Sequence, residues 1–459
     1  MELLPILDAS LKEPLYMQLY LYVKQEIKEG RLTAETKLPS RRKLSDHLCI
    51  SLNTVDAAYQ QLQAEGYIYS KMRKGLYVNH LEEELKPVQD VHYFYKKKQI
   101  QQVPVHLDFN QGNIDLAHFP NSVWKKVSAN VLDNSSFLLN GDPQGEEMLR
   151  KEICSYLHHS RGVQCSPDQI IIGSGTQYLV SLLGLIIGRE RGFSMEDPGF
   201  HRIRHVLEQG SEVKFIPLDE DGISMPHLYE SRAEVVYVTP SHQFPTGKVM
   251  PLTRRLELLK WAKERNGYII EDDYDGEFRH TGKPIPSLQG LLNTKVIYLG
   301  TFSKSLMPSS RISYMILPVE LATRYHDHYC LSKQTVSRHL QETLSLFISQ
   351  GHWETHVNKM RTVYKRKHKL LLEVIGEVFG DKVTIIGEKT GLHILMTIHN
   401  HMSEAELLTA AQAKQVKVYP TSIYFARENS FKNTILLGYG GLSVSDIDKG
   451  VRLLNEAWF

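Results

Sequence analysis

Between residues 169 and 317, short apolar runs rich in β-branched residues alternate with amphipathic helical stretches. The runs are QIIIGSG (169–175), EVKFIPL (212–218), EVVYVTP (234–240), GYIIEDDYD (267–275), KVIYLGTFSK (295–304) and RISYMIL (311–317). Apolar runs with little polar alternation are strands covered on both faces. Strands separated by helices give a mainly parallel sheet with helices on either side. Ligands on such a sheet collect outside the carboxyl ends of the strands. Gly173–Gln177, Asp272–Tyr274 and Thr301–Lys304 fall there. Two later runs, GLHILMTI (391–398) and TILLGYG (434–440), imply a smaller C-terminal α/β subdomain. At 459 residues the chain is too long for one simple core. The expected layout is a large α/β domain over 108–335 and a small subdomain over 336–459.

The groups at those strand ends share a chemistry. A lysine in a tight turn of small residues, as Lys304 is in GTFSK, can be neutral and form an imine with an aldehyde. A buried carboxylate such as Asp272 can pair with a protonated pyridine nitrogen. GSGT at a strand-to-helix turn offers backbone N–H groups and a hydroxyl to a phosphate, and Arg311 adds a charged clamp. Alone, each has a plainer reading. A lone TFSK lysine is usually a surface residue, GSGT a turn, and EDD a helix cap or a Mg²⁺ ligand. Taken in order along an alternating α/β pattern, they describe pyridoxal 5′-phosphate (PLP), which carries aldehyde, ring nitrogen and phosphate in one molecule. No metal is assigned.

The first 80 residues follow another plan. PLYMQLYLYVKQEIKEG is a helix opened by Pro14 and closed at Gly30, with Leu15, Leu19, Tyr22, Val23 and Ile27 at helical spacing. Ser40 caps a second helix with Leu44 and Leu48 on its apolar face. After a turn at Cys49–Ile50, Ser51 caps a third helix carrying Val55, Ala58, Tyr59 and Leu62. YIYS and GLYVN then make a hairpin around KMRKG. Helix, helix-turn-helix and basic-tipped hairpin form a winged helix-turn-helix. The third helix suits a major groove, with Ser51, Leu52, Asn53 and Thr54 toward base edges. Lys71, Arg73 and Lys74 at the hairpin reach phosphate or minor groove, and Arg41 and Arg42 at a helix start grip phosphate. The alternative is a small helical protein-contact domain with a solvated charged surface. Order, basic clustering and hairpin together favour double-stranded DNA.

Bulk properties narrow the rest. With 54 Lys+Arg against 52 Asp+Glu there is no global basic field, and the first 80 residues hold 11 against 9, so a DNA contact must be local. Cys49, Cys154, Cys165 and Cys330 have no zinc spacing and read as free thiols of a reducing compartment. The N-terminus lacks a signal-peptide pattern, and YLVSLLGLIIG (178–188) is too short to span a bilayer. It is expected to be a buried helix. A cytoplasmic protein with no membrane partner is expected. Residues 81–107 alternate acidic, basic and polar runs and read as a solvated linker. Tyr93, Phe94 and Tyr95 could dock on a domain surface, and the lysines at 96–98 could touch DNA.

PSRRKLSDHLCISLNTVDAAYQQLQAEGYI resembles the winged helix-turn-helix of the GntR superfamily, with one departure. Members usually carry arginine where Leu52 stands, which removes one expected DNA contact. TPSHQFPTG, IIEDDYDGEF and GTFSKSLMPSSRISY resemble the fold-type I, aspartate-aminotransferase-like domain. The whole chain therefore resembles the MocR/GabR family of bacterial regulators, and the likeness covers nearly its full length. It implies that Lys304 is the lysine bonded to PLP, Asp272 the partner of the pyridine nitrogen, and Tyr274 a neighbour of the ring 3′-oxygen. It further implies Phe200 stacked on the ring, Gly175, Thr176, Thr301, Ser303 and Arg311 around the phosphate with Gln177 nearby, and His242 with Gln243 at the ring edge. Arg202 resembles a second effector-binding arginine. GABA-sensing members carry the arginine that grips a substrate carboxylate in a segment like GFAR. Here the segment is GYGG, with Gly441 in that place. The resemblance implies a homodimer, whose heads could be swapped over the partner, and a regulator that senses PLP or an amino acid without efficient turnover. The alternatives are a working aminotransferase with an appended DNA-binding head, and a scaffold with a relict PLP site.

Overall fold

The computed structural model describes residues 5, 7–80, 105–280, 285–427 and 431–459. The chain forms two compact units, Met1–Ile100 and Gln101–Phe459. Most of the linker, including Tyr93–Tyr95 and the lysines at 96–98, lies outside the described residues.

In the first unit, α1 (Leu15–Lys28), α2 (Arg41–Leu48) and α3 (Leu52–Ala64) precede a hairpin of β1 (Ile68–Lys71) and β2 (Gly75–Val78). The hydroxyl of Ser40 accepts from the Lys43 amide, and that of Ser51 accepts from the Thr54 amide. Each serine thus satisfies a helix-start N–H that the helix itself leaves unpaired. Between them Cys49 takes a left-handed conformation, which makes the sharp turn. Leu19, Val23, Leu44, Val55, Ala58, Tyr59 and Leu62 form the core, so the helical spacing of the sequence picks out the buried face. Tyr22 is only partly buried, and Tyr20 takes the inner place.

The second unit is built on an eight-stranded sheet. Its spatial order is Ile170–Gly173, Ser313–Ile316, Val296–Thr301, Tyr268–Asp273, Val235–Val238, Phe193–Asp197, Val213–Asp219, Gly222–Ile223. The five strands from Val296–Thr301 to Val213–Asp219 are mutually parallel. Ser313–Ile316 runs antiparallel between its two neighbours. Phe193–Asp197 sits inside the sheet yet is absent from the apolar alternation, because Ser194 and Glu196 interrupt it. Both are buried by hydrogen bonding, Ser194 to the Val235 carbonyl and Glu196 to Thr239. The run at 178–188 is the helix Thr176–Ile187, packed on the sheet.

A second, antiparallel sheet joins Val383–Ile386, His393–Ile398, Thr434–Gly438 and Tyr419–Pro420, and the helices His352–Phe379 and Val444–Trp458 share its core. Leu107–Asp108 pairs with Val416–Lys417, and Phe109 is buried in this same core. The chain therefore enters the unit through its smaller half before building the larger one. Among the described residues, no helix is long and apolar enough to cross a membrane.

One buried ion pair holds the end of the central strand. Arg161 Nη2 lies 2.6 Å from Asp273 Oδ2, both nearly inaccessible, and the Tyr298 hydroxyl donates to the same carboxylate at 2.6 Å. Removing one member of a buried pair strands the other charge. Arg161→Ala is expected to destabilise this unit by about 3–5 kcal/mol. Urea unfolding followed by tryptophan fluorescence measures it, since Trp124, Trp261, Trp353 and Trp458 all lie in the second unit.

Candidate functional site

A cavity of about 150 Å³ opens at the carboxyl ends of the parallel strands. Three turns furnish one side. After Gly173 the chain passes through Gly175 (φ +101°) into the helix starting at Thr176. A Cβ at Gly175 would lie 2.1 Å from Arg311 Nη2, so only glycine lets the guanidinium approach this helix start. Arg311 is itself left-handed (φ 54°), and its Nη2 lies 3.4 Å from the Ser174 carbonyl. The third turn supplies hydroxyls. Thr301 Oγ1 donates to Ser303 Oγ at 3.1 Å and accepts from Ser313 Oγ at 2.9 Å. Unpaired helix-start N–H groups, a guanidinium and three hydroxyls make an anion cradle.

Across the cavity stands Asp272, on the strand Tyr268–Asp273. Its Oδ2 accepts from the buried Tyr237 hydroxyl, while Oδ1 is buried with no partner among the described residues. Burial pushes its pKa up to about 7, a rise that the Tyr237 hydrogen bond opposes and Asp273 and Asp275 reinforce. Lys304 also lines the cavity and donates to the Gln111 carbonyl. Burial lowers its pKa to about 8 against the opposing pull of Asp275. Phe200 and Phe244 meet edge to face at 5.3 Å, and Tyr424 packs on Phe244 at 4.8 Å, giving the cavity an aromatic wall.

Thr176, Gln177, Phe200, Arg202, Asp272, Tyr274, Thr301, Ser303, Lys304 and Arg311 all line this one cavity. Gly175 stands just behind as the residue before the helix. His242 and Gln243, expected at the ring edge, are not among the residues that line this cavity. Gln243 turns inward, taking the Thr246 amide and hydroxyl on its oxygen and giving its NH₂ to the Pro198 and Phe244 carbonyls. That loop delivers Phe244 to the cavity instead. His242 is buried behind Tyr274, with Nδ1 2.8 Å from the Tyr274 hydroxyl and 2.8 Å from Asp275 Oδ2. His242, Asp275 and His393 bring donor atoms within 4.8 Å of one another, the one such metal-capable group among the described residues.

Five lining residues escaped the sequence reading: Gln111, Gly112, Thr239, Phe244 and Ser313. Ser313 opens the strand Ser313–Ile316, two residues after Arg311, and its hydroxyl joins that of Thr301. Gln111 and Gly112 gave no signal, because they arrive from the segment that crosses the small half.

Gly441 is exposed, yet a side chain there would press on Asn113. A Cβ there would lie 2.5 Å from Asn113 Cβ. The turn is also pinned from below, because Lys367 Nζ donates to the Gly440 carbonyl at 2.9 Å and pairs with buried Asp115 at 2.6 Å.

In the first unit the basic residues differ in their engagements. Arg41 Nε lies 2.5 Å from Asp56 Oδ1 with nearly half its side chain exposed, and Arg42, Arg73 and Lys74 are exposed. Lys71 is bound to Glu35 and lies over the Tyr69 and Tyr77 rings, so its charge is partly spent on the hairpin face. Ser51 and Asn53 are exposed at the start of α3, and Thr54 is half-buried with its hydroxyl 2.8 Å from that of Ser51.

The residues around the cavity fit PLP. An orphaned carboxylate oxygen suits a ring N–H, a glycine-dependent cradle suits a phosphate, and a lysine of lowered pKa suits an aldehyde.

Residues 15–78 match the gntR family of bacterial regulatory proteins, and residues 104–437 match aminotransferase class I and II. The chain is 46% identical to the HTH-type transcriptional regulator YhdI of Bacillus subtilis (strain 168), over all of this chain and 98% of that protein. It is 30% identical to MocR of Rhizobium meliloti, a probable rhizopine catabolism regulatory protein, over 99% of this chain and 95% of that one. In fold it is similar to a multiple substrate aminotransferase from Thermococcus profundus, with TM-score 0.68, 23% identity, 80% of this chain and 95% of that chain covered. The chain belongs to the MocR-type bacterial transcriptional regulators, which join a gntR-family helix-turn-helix head to an aminotransferase class I and II domain.

Proposed function

We propose that this regulator binds PLP in the cavity of its second unit and reads PLP itself, rather than turning over an amino acid. The observation that carries this reading is Gly441 packed against Asn113 beside an otherwise complete set of cofactor groups. An aminotransferase must hold a substrate carboxylate while bonds change at the neighbouring carbon. A glycine offers no cation, and a larger residue there would have to displace Asn113. Arg202 is the lining cation left for an effector carboxylate once Lys304 and Arg311 are assigned to the cofactor. An amino-acid effector held by Arg202 is the second reading.

When bound, PLP supplies an aldehyde that bonds to a primary amine and a pyridine ring that draws electrons. Lys304 presents the amine, and Asp272 Oδ1 accepts the ring N–H and keeps the proton there. Arg311, Thr301, Ser303 and the helix start at Gly175–Thr176 hold the phosphate, Gln177 stands beside them, and Phe200 covers a ring face. In the head, Arg41, Arg42, Arg73 and Lys74 take phosphates while Ser51, Asn53 and Thr54 face base edges. Lys71 joins them if DNA displaces Glu35. We infer a cytoplasmic homodimer that presents two heads to paired half-sites, with swapped heads permitted by the linker length.

Titrating PLP and separate amino acids against DNA binding, with absorbance read in parallel, tests the whole reading. PLP is expected to give a visible absorbance band and to change DNA affinity, and low concentrations of amino acids are expected to leave the band in place. An amino acid that converts the band favours the second reading, and turnover with a keto acid at ordinary rates would establish an enzyme. Lys304→Ala should abolish the band. In the native protein the initial rate of band formation should rise with pH as Lys304 loses its proton, with a half-point at about 8. An ordinary lysine would place it at about 10.4.

Arg41→Ala should weaken DNA binding on all sequences and reduce the slope of log affinity against log salt by about one. Fluorescence anisotropy over a salt series measures this, and an unchanged slope would reject the phosphate contact.

A further inference from the structure

Behind Tyr274 the single atom His242 Nδ1 has two partners. The Tyr274 hydroxyl lies at 2.8 Å, and the Asp275 oxygens lie at 2.8 and 3.0 Å. A ring nitrogen carries either one proton or one lone pair. A carboxylate only accepts, so Asp275 requires Nδ1 to carry the proton. Nδ1 then has no lone pair for the Tyr274 O–H, and the tyrosine oxygen can only accept from the same N–H. Its own proton is free to point elsewhere, and Tyr274 lines the cavity. The geometry points to Asp275 and His242 as a positioning pair that makes Tyr274 a hydrogen-bond donor into the cavity.

The surroundings support this arrangement. His242 and Asp275 are both about 3% exposed, so water cannot substitute for either partner. His242 Nε2 is buried without a partner, which an unprotonated nitrogen tolerates better than an N–H would. Gly391 closes the ring in, since a Cβ there would lie 1.9 Å from His242 Cε1 and 2.7 Å from Asp275 Oδ2. His393 gives its Nε2 proton to the Pro245 carbonyl at 3.0 Å and stays neutral, burial holding its pKa down at about 3. Other charged or titratable groups that face the pair include Lys304, His280, Asp272, Glu277 and Tyr439. The same cluster could be read as a metal site. Against that, Lys304 is near, Arg161 and Arg279 line the space of about 10 Å³ behind it, and hydrogen bonding already accounts for its contacts.

With PLP in the cavity, a donor at the Tyr274 position would stabilise a negative charge on the ring oxygen. This part rests on the PLP reading above, whereas the proton position on His242 does not. Two measurements separate them. Histidine-selective ¹⁵N NMR of the native, PLP-free protein, assigned with His242→Phe, should show His242 neutral and protonated at Nδ1. A proton on Nε2 alone overturns the proposal whether or not PLP binds. The second measurement follows the pH midpoint of the bound cofactor's absorbance change. Tyr274→Phe should raise it by on the order of one pH unit. Asp275→Ala removes the acceptor that requires a proton on Nδ1, and also a negative charge that favours protonated Lys304, so its effect is read as a difference between backgrounds. Tyr274→Phe should raise the midpoint by less in the Asp275→Ala background than in the native protein. An equal rise in both backgrounds overturns the positioning pair. If native protein develops no band with PLP, the PLP reading fails, and the NMR result still decides the pair.

Discussion

Four carboxylates lie within five residues, Glu271, Asp272, Asp273 and Asp275, at the buried end of one strand. A buried carboxylate is costly unless something answers it. Each is answered differently. Glu271 accepts the Leu288 and Gln289 amides at a helix start. Asp273 has Arg161, and Asp275 has His242. Strand alternation sends Glu271 and Asp273 to one face and Asp272 to the other. Among the described residues Asp272 therefore has Tyr237 as its hydrogen-bond partner and keeps one oxygen unpartnered at the cavity. Three of the four responses are structural. The fourth leaves room for a ligand's proton.

The same run sets the behaviour of the lysine opposite. Burial alone would make Lys304 a still weaker base, and Asp275 opposes that. The amine thus sits where it can be neutral near physiological pH without being drawn into a tight ion pair, which would keep it protonated and unreactive. His242 takes up the Asp275 oxygens, while Lys304 donates to the Gln111 carbonyl. Cofactor chemistry and strand burial are two views of one charge balance.

The parts legible in the sequence were those with local cause. Caps at Ser40 and Ser51, the helical faces of the head, the apolar strands and the small-residue turns all follow from neighbours along the chain. The strand Phe193–Asp197 was missed because its polar residues are satisfied by partners some forty residues away, at Val235 and Thr239. His242 was read at the ring edge from its motif, yet the motif does not say which of its residues faces in. The loop spends Gln243 on its own backbone and Thr246, and turns Phe244 to the cavity. Gln111 is set by a crossing of chain segments. A Cβ at Gly438 would lie 2.2 Å from Gln111 Cα, so a glycine on a strand of the small sheet makes room for it. No local pattern encodes such a contact.

Gly441 bears on what kind of machine this domain is. An enzyme must bind a transition state better than its substrate, which needs groups fixed on the part that reacts. A regulator needs only a ligand that favours one of its states, and the size of the shift is set by the difference in affinity between them. The cavity is lined from separate segments around 176, 272, 301 and 311, and on the proposed reading a bound cofactor would tie them together. The clamp for a second carboxylate would have to rise from a turn filled by Asn113 and anchored by the Lys367–Asp115 pair. That anchor is itself buried, so restoring an arginine would mean moving Asn113 without exposing or unpairing the ions beneath it. On the proposed reading, an arginine at Gly441 would have to push Asn113 aside before it could reach a carboxylate, so that substitution alone is not expected to restore turnover.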